Sequence, residues 1–184
     1  MMKFVFAFLG ALVVGALILF LLPYGYRFRT DSNTVRFNEK LSDLAEKSLQ
    51  SRDVPVSALL VYKDSIIGSG YNTVMRDGNA GGHAEINALS GCLRKMGLTQ
   101  FRQLDRNSLV LITTFEPCAM CRGAIEEYNI KKVVFALPKS FGAHVGMMKS
   151  SIDYYLGLRE NGQPELQYDL FLKHPDFDPE EYPR

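Results

Sequence analysis

Two short stretches place the tightest demand on how this chain can fold. GGHAEINAL, residues 81–89, sets a histidine and a glutamate two apart, and EPCAMC, residues 116–121, sets two cysteines three apart. Residues three apart share one side of a helix, so Cys118 and Cys121 can present both thiols together. At a helix start, unpaired backbone N–H groups and the helix dipole favour the thiolate form. Zinc takes four ligands, and this pair supplies two. No second C-x-x-C occurs in the chain, which excludes a closed four-cysteine site. What remains is one nitrogen ligand and one open position for water, the arrangement of a catalytic zinc.

His83 is the candidate nitrogen ligand. The chain has 3 histidines, and His83 stands at a predicted helix start. Residues i and i+2 do not share a helix face, so His83 and Glu85 converge only at the helix mouth. Gly81 and Gly82 are expected to permit a sharp entry there. Glu85 then lies beside the zinc-bound water without ligating the metal. Zinc brings the pKa of such a water toward neutrality, and a neighbouring carboxylate can carry its proton. Other polar residues receive plainer readings. Glu116 is expected to favour the following helix with its charge, Cys92 to be a small buried apolar residue, and His144 to lie on a surface loop. Arg122, Lys131 and Lys132 read as a solvated helix end.

Organisation along the chain follows from hydrophobic periodicity. Phe37, Leu41, Leu44, Ala45 and Leu49 recur at helical spacing within residues 34–51. SALLVYKDSIIGSGYN reads as two strands with a tight turn at Lys63-Asp64-Ser65. A second helix carries Ile86, Leu89, Leu93 and Met96 along one side. SLVLITTF has the continuous apolar character of a strand covered on both faces. Pro117 is expected to open a third helix, and KVVFAL to be the next strand, joined as a parallel crossover. A further helix is expected near residues 148–158. The class is α/β, with helices on both sides of a mixed sheet.

Residues 4–22 form an uncharged run, FVFAFLGALVVGALILFLL. At about 1.5 Å per residue it nearly matches the ~30 Å hydrocarbon core of a bilayer. PYGYRFR follows it, with bulky residues where a signal-peptide cleavage site would stand. The expectation is a single-pass membrane protein: an anchor with its flank at 1–26, a linker at 27–33 and a folded domain at 34–184. Arg27, Arg29 and Arg36 favour a cytoplasmic domain, and cysteines without a disulfide pattern suit a reducing compartment. Beyond the run, basic and acidic residues balance at 20 each. That neutrality makes RNA a less favoured partner, since nucleic-acid binders usually carry a basic surplus.

H-x-E together with P-C-x-x-C is the zinc deaminase signature. The chain resembles the cytidine deaminase-like superfamily of zinc hydrolases. HAEINAL with TTFEPCAMCRGAI looks most like its guanine deaminase and tRNA adenosine deaminase branch, over about residues 34–137. The two-residue gap between cysteines argues against the riboflavin-pathway deaminases, and His83 in place of a cysteine argues against small cytidine deaminases. The resemblance implies a three-layer α/β/α fold, Zn2+ held by His83, Cys118 and Cys121, and Glu85 as catalytic proton carrier. It also implies substrate contacts at Asn72 and Ala84, and a homodimer. The expected reaction is hydrolytic deamination of a small nucleobase or nucleoside, more a purine than a pyrimidine. The rivals are a tRNA adenosine deaminase and a catalytically degenerate, zinc-stabilised module that only tethers a partner to the membrane. An intact Glu85 speaks against the last.

Overall fold

The computed structural model describes residues 14–15, 32–159 and 164–175. These fall into two compact units, Met1–Pro138 and Lys139–Arg184. In the first, a short 3-10 segment, Ser32–Phe37, leads into helix α1, Asn38–Leu49. Strands β1 (Ser57–Tyr62) and β2 (Ser65–Tyr71) follow, then a single helical turn, α2 (Val74–Asp77), and the long helix α3 (Ala84–Met96). After these come α4 (Leu98–Arg102), β3 (Leu109–Phe115), α5 (Ala119–Glu127) and β4 (Lys132–Leu137). The second unit holds α6 (Phe141–Gly157) and α7 (Pro164–Phe171).

The four strands form one mixed sheet in the order β2-β1-β3-β4. β1 is antiparallel to both β2 and β3, whereas β3 and β4 are parallel. Lys63 and Asp64, both at positive φ, close the β1–β2 hairpin, as a two-residue turn matched to strand twist requires. Alternation along β1 divides the core. Ala58 and Leu60 pack with Leu109, Leu111, α3, α5 and Phe101 of α4 on one face. Leu59 and Val61 pack with Ile112 and with Leu41 and Leu44 of α1 on the other. Side chains of period two thus place helices on both faces, as the pattern predicted.

The α3 core face keeps Leu89, Leu93 and Met96 from the predicted side but is widened by small residues. Ala84, Ala88, Leu89 and Cys92 are its buried apolar residues, while Ile86 and Leu93 are half-buried. The reason lies on β2, where Gly68 and Gly70 face the helix. A Cβ on Gly70 would come 2.4 Å from the Ala84 carbonyl oxygen, and one on Gly68 2.4 Å from that of Ala88. The helix therefore rests its backbone on the strand, and small residues belong at the contact. Leu49, counted in the apolar face of α1, is exposed, and Ser48 is buried instead.

Three further expectations change. Pro117 does not open α5; the helix begins at Ala119 with Cys118 as its N-cap. His144 is buried on α6 rather than on a surface loop. The single-pass membrane placement, with a transmembrane helix, a membrane partner and a cytoplasmic catalytic domain, is corrected. Among the described residues no helix is long and apolar enough to cross a membrane. The longest, α6, has 17 residues; it rises about 25 Å against a core of about 30 Å, and it carries His144, Lys149 and Asp153. Apart from residues 14 and 15, the apolar run at 4–22 lies outside the described residues.

The close α3–β2 contact makes Gly70→Ala a sharp test. The added methyl meets main chain, which cannot rotate away, and overpacking of this kind costs about 1–3 kcal/mol. A lower urea midpoint with an unchanged slope is expected, together with weaker zinc retention, because Ala84 adjoins His83.

Candidate active site

Two helix starts build the centre. His83 is the N-cap of α3, in extended backbone conformation (φ −72°, ψ 150°). Cys118 is the N-cap of α5, again extended (φ −77°, ψ 175°). Neither side chain caps its own helix, so each projects past the helix mouth. Cys121, the third residue of α5, is fully buried. The His83 Nδ1 lies 3.5 Å from the Cys118 Sγ and 3.6 Å from the Cys121 Sγ. All three ligand atoms fall within 4.8 Å of one another. A tetrahedral zinc with Zn–S of about 2.3 Å and Zn–N of about 2.0–2.1 Å sets nitrogen and sulfur about 3.5–3.6 Å apart. The residues present therefore fit the ion without rearrangement.

The electrostatics make the same demand. Burial pushes the Cys121 thiol far above its ordinary value, and the charges of Glu85 and Cys118 push it in the same direction. A divalent cation offsets this, because it removes both the desolvation penalty of a thiolate and its repulsion from neighbouring anions. Glu85, in the first turn of α3, is 5% exposed and within hydrogen-bonding reach of Cys121.

The segment between β2 and α3 carries the other two residues that the sequence singled out, Asn72 and Ala84. Asn72 is buried, and its backbone N–H donates to the Val56 carbonyl at 3.0 Å. Its side-chain Oδ1 is buried with no protein partner, an arrangement that is costly unless something else fills it. Ala84, the first residue of α3, is wholly buried. Gly82 allows close approach rather than an unusual φ, because its Cβ would stand 2.9 Å from the Thr73 Oγ1. The single turn α2 is held from outside. Asp53, itself buried, accepts from the N–H groups of Met75 (2.7 Å) and Arg76 (3.1 Å) and from the Ser51 hydroxyl (2.7 Å). Burial opposes its ionisation, yet these donors keep its carboxyl below the ordinary carboxylate range.

Residues 31–137, more than half of the chain, match the family described as the cytidine and deoxycytidylate deaminase zinc-binding region. The chain belongs to this family. It is similar to tRNA-specific adenosine deaminase 2 of Danio rerio, 34% identical over 130 residues, covering 68% of this chain and 59% of that protein. It is likewise 34% identical over 113 residues to the tRNA-specific adenosine deaminase subunit tad2 of Schizosaccharomyces pombe, covering 58% of this chain and 28% of that one. The chain thus spans less than two thirds of the length of these relatives. In fold it is similar to guanine deaminase from Bacillus subtilis, with a TM-score of 0.60 at 23% identity, covering 81% of this chain and 98% of that one. A structure from studies of A-to-I editing by tRNA:A34 deaminases superposes with a TM-score of 0.52 at 24% identity, covering 59% and 79%.

The family is described as zinc-binding, and His83, Cys118 and Cys121 form a group that could hold that ion. Glu116 is buried just before the cysteines, where its backbone N–H donates to the Leu137 carbonyl. Arg122 pairs with Glu126 at 3.4 Å on an exposed helix face, as expected of a solvated helix end. Sequence reasoning missed Asp53 and Asn87. Asn87 sits one turn after His83 on α3, and a polar residue at that spacing was the available signal.

The purified chain is expected to carry one zinc, lost in Cys121→Ala and in His83→Ala, as read by elemental analysis. Chelation should lower the melting temperature, because it leaves Glu85 beside a buried thiol. The Asp53 carboxylate stabilises the fold above the ordinary carboxylate range, and that contribution disappears as pH falls through its depressed folded value. Stability therefore drops on acidification below about pH 4. Asp53→Asn should flatten this dependence in urea titrations run from pH 7 to pH 3.

Proposed function

We propose that this chain is a zinc-dependent hydrolytic deaminase acting on a purine base or nucleoside. The observation that carries the reading is the buried Glu85 carboxylate beside Cys121 at the mouth of α3. A purely structural zinc needs no anion there, and burying one costs free energy. The purine assignment draws support from relatives of two kinds, one named for adenosine in tRNA and one for guanine.

In this reading His83, Cys118 and Cys121 hold the ion, which supplies Lewis acidity toward water when bound. Glu85 accepts a proton from the attacking water and delivers protons to the ring nitrogen and to the departing amine. The carbon–nitrogen bond to the exocyclic amine breaks, a carbonyl forms at the same carbon, and ammonia leaves. Asn72 offers its unpartnered Oδ1 to an N–H on the ring edge, and the start of α3 at Ala84 bounds the same space. The buried, closed packing around Cys121 keeps bulk water from the thiolate.

A second reading, adenosine in tRNA, is favoured by the 34% identity to the tRNA-specific enzymes. The balanced charge of the chain gives it less support. Ammonia release from guanine, adenine, their nucleosides and an anticodon-loop RNA separates the two. Glu85→Gln is expected to keep its zinc and to lose about 10²–10⁴ in rate. Full activity in that variant would overturn the proton-carrier role. Turnover of the RNA alone would move the assignment to the second reading.

A further inference from the structure

One side-chain amide ties the Asn72 segment to the metal ligand. The Asn87 Nδ2 lies 2.9 Å from the Tyr71 carbonyl, 3.0 Å from the Thr73 Oγ1 and 3.2 Å from the Gly82 carbonyl. An amide has two hydrogens, so three acceptors crowd a single donor group. Two of them flank Asn72 in sequence, and the third directly precedes His83. The Thr73 N–H also donates to the Gly82 carbonyl at 2.8 Å, and the Asn87 backbone N–H donates to the His83 carbonyl at 2.9 Å. The eleven-residue excursion from Asn72 to Gly82 is thus drawn shut at its neck. The missing Cβ of Gly82 leaves room for Thr73 at that point.

We propose that Asn87 is a positioning residue that fixes the distance between Asn72 and the His83–Glu85 helix mouth. This rests on the deaminase reading for its kinetic consequence. Asn87 is placed by its contacts against the main chain, not against substrate, and works through the two segments it clamps. Only an amide suits the place. A carboxylate of the same shape would set an anion against three acceptors, and an alanine would remove the shared donor, leaving the Gly82 carbonyl only the Thr73 N–H.

The test is a double-mutant cycle in ammonia release, using Asn87→Ala, Asn72→Ala and both together. Partners that support a catalytic residue from behind typically cost about 10–100-fold when removed. Asn87→Ala should therefore lower kcat/KM by about that factor while retaining one zinc per chain. In the Asn72→Ala background the further loss should fall below about threefold, since the residue positioned is gone. Losses that multiply, or an Asn87→Ala loss under twofold, would overturn the proposal. Thr73→Val, which removes one acceptor and keeps the shape, serves if Asn87→Ala does not fold, and the same small loss in the Asn72→Ala background is expected. A readout independent of turnover separates this proposal from the deaminase reading. Amide exchange at Thr73 and His83 should accelerate at least tenfold in Asn87→Ala without global unfolding. Accelerated exchange in a chain with no turnover would sink the deaminase reading alone, and unchanged exchange would sink the clamp whatever the activity.

Discussion

Everything around the centre depends on His83 and Cys118 being N-caps held in extended conformation. A residue inside a helix points its side chain back along the preceding turn, whereas an N-cap projects beyond the helix end. Two such residues on facing helix starts can share one ion with Cys121, and their nitrogen–sulfur distances of 3.5 and 3.6 Å are those of a tetrahedral zinc. The same placement seats Glu85 in the first turn of α3. The carboxylate is then near the ligands while remaining outside the ligand set.

The sheet makes this meeting possible. β3 ends at Phe115, three residues before Cys118, and β2 ends at Tyr71, directly before Asn72. Gly68 and Gly70 let α3 lie on β2 at backbone contact, so the helix start cannot drift from the strand ends. Asp53 fixes α2 from the α1 side, and Asn87 closes the neck between Tyr71 and Gly82. Strand, turn and helix therefore act as one frame around a small, partly buried centre.

The strands and most helices were legible because their apolar residues recur with the periods that backbone geometry imposes. The hairpin at Lys63-Asp64 and the central β3 followed from local pattern alone. Prediction failed where the deciding contact was distant. Ile86 was assigned to the α3 core face, although Leu89, Leu93 and Met96 pack there without it, because nothing local announces that two glycines sit opposite. Pro117 was read as the first residue of α5, yet the helix begins two residues later with Cys118 as its cap. The apolar run at 4–22 invited a membrane reading from length and polarity, but no described helix meets the requirement for crossing one.

The sequence by itself named the candidate ligand set. With no second cysteine pair and few histidines, tetrahedral stoichiometry singles out His83, Cys118 and Cys121 as the candidate ligands, and the family resemblance implies Glu85 as the proton carrier. The candidate ligands follow from residue chemistry and coordination number, which do not depend on the path of the chain. Tertiary structure decided what holds the set in place and what state it takes. Burial, a property of the packed whole, raises the Cys121 thiol. The unpartnered Oδ1 of Asn72 and the three-acceptor clamp of Asn87 likewise exist only once segments distant in sequence have been brought within hydrogen-bonding distance.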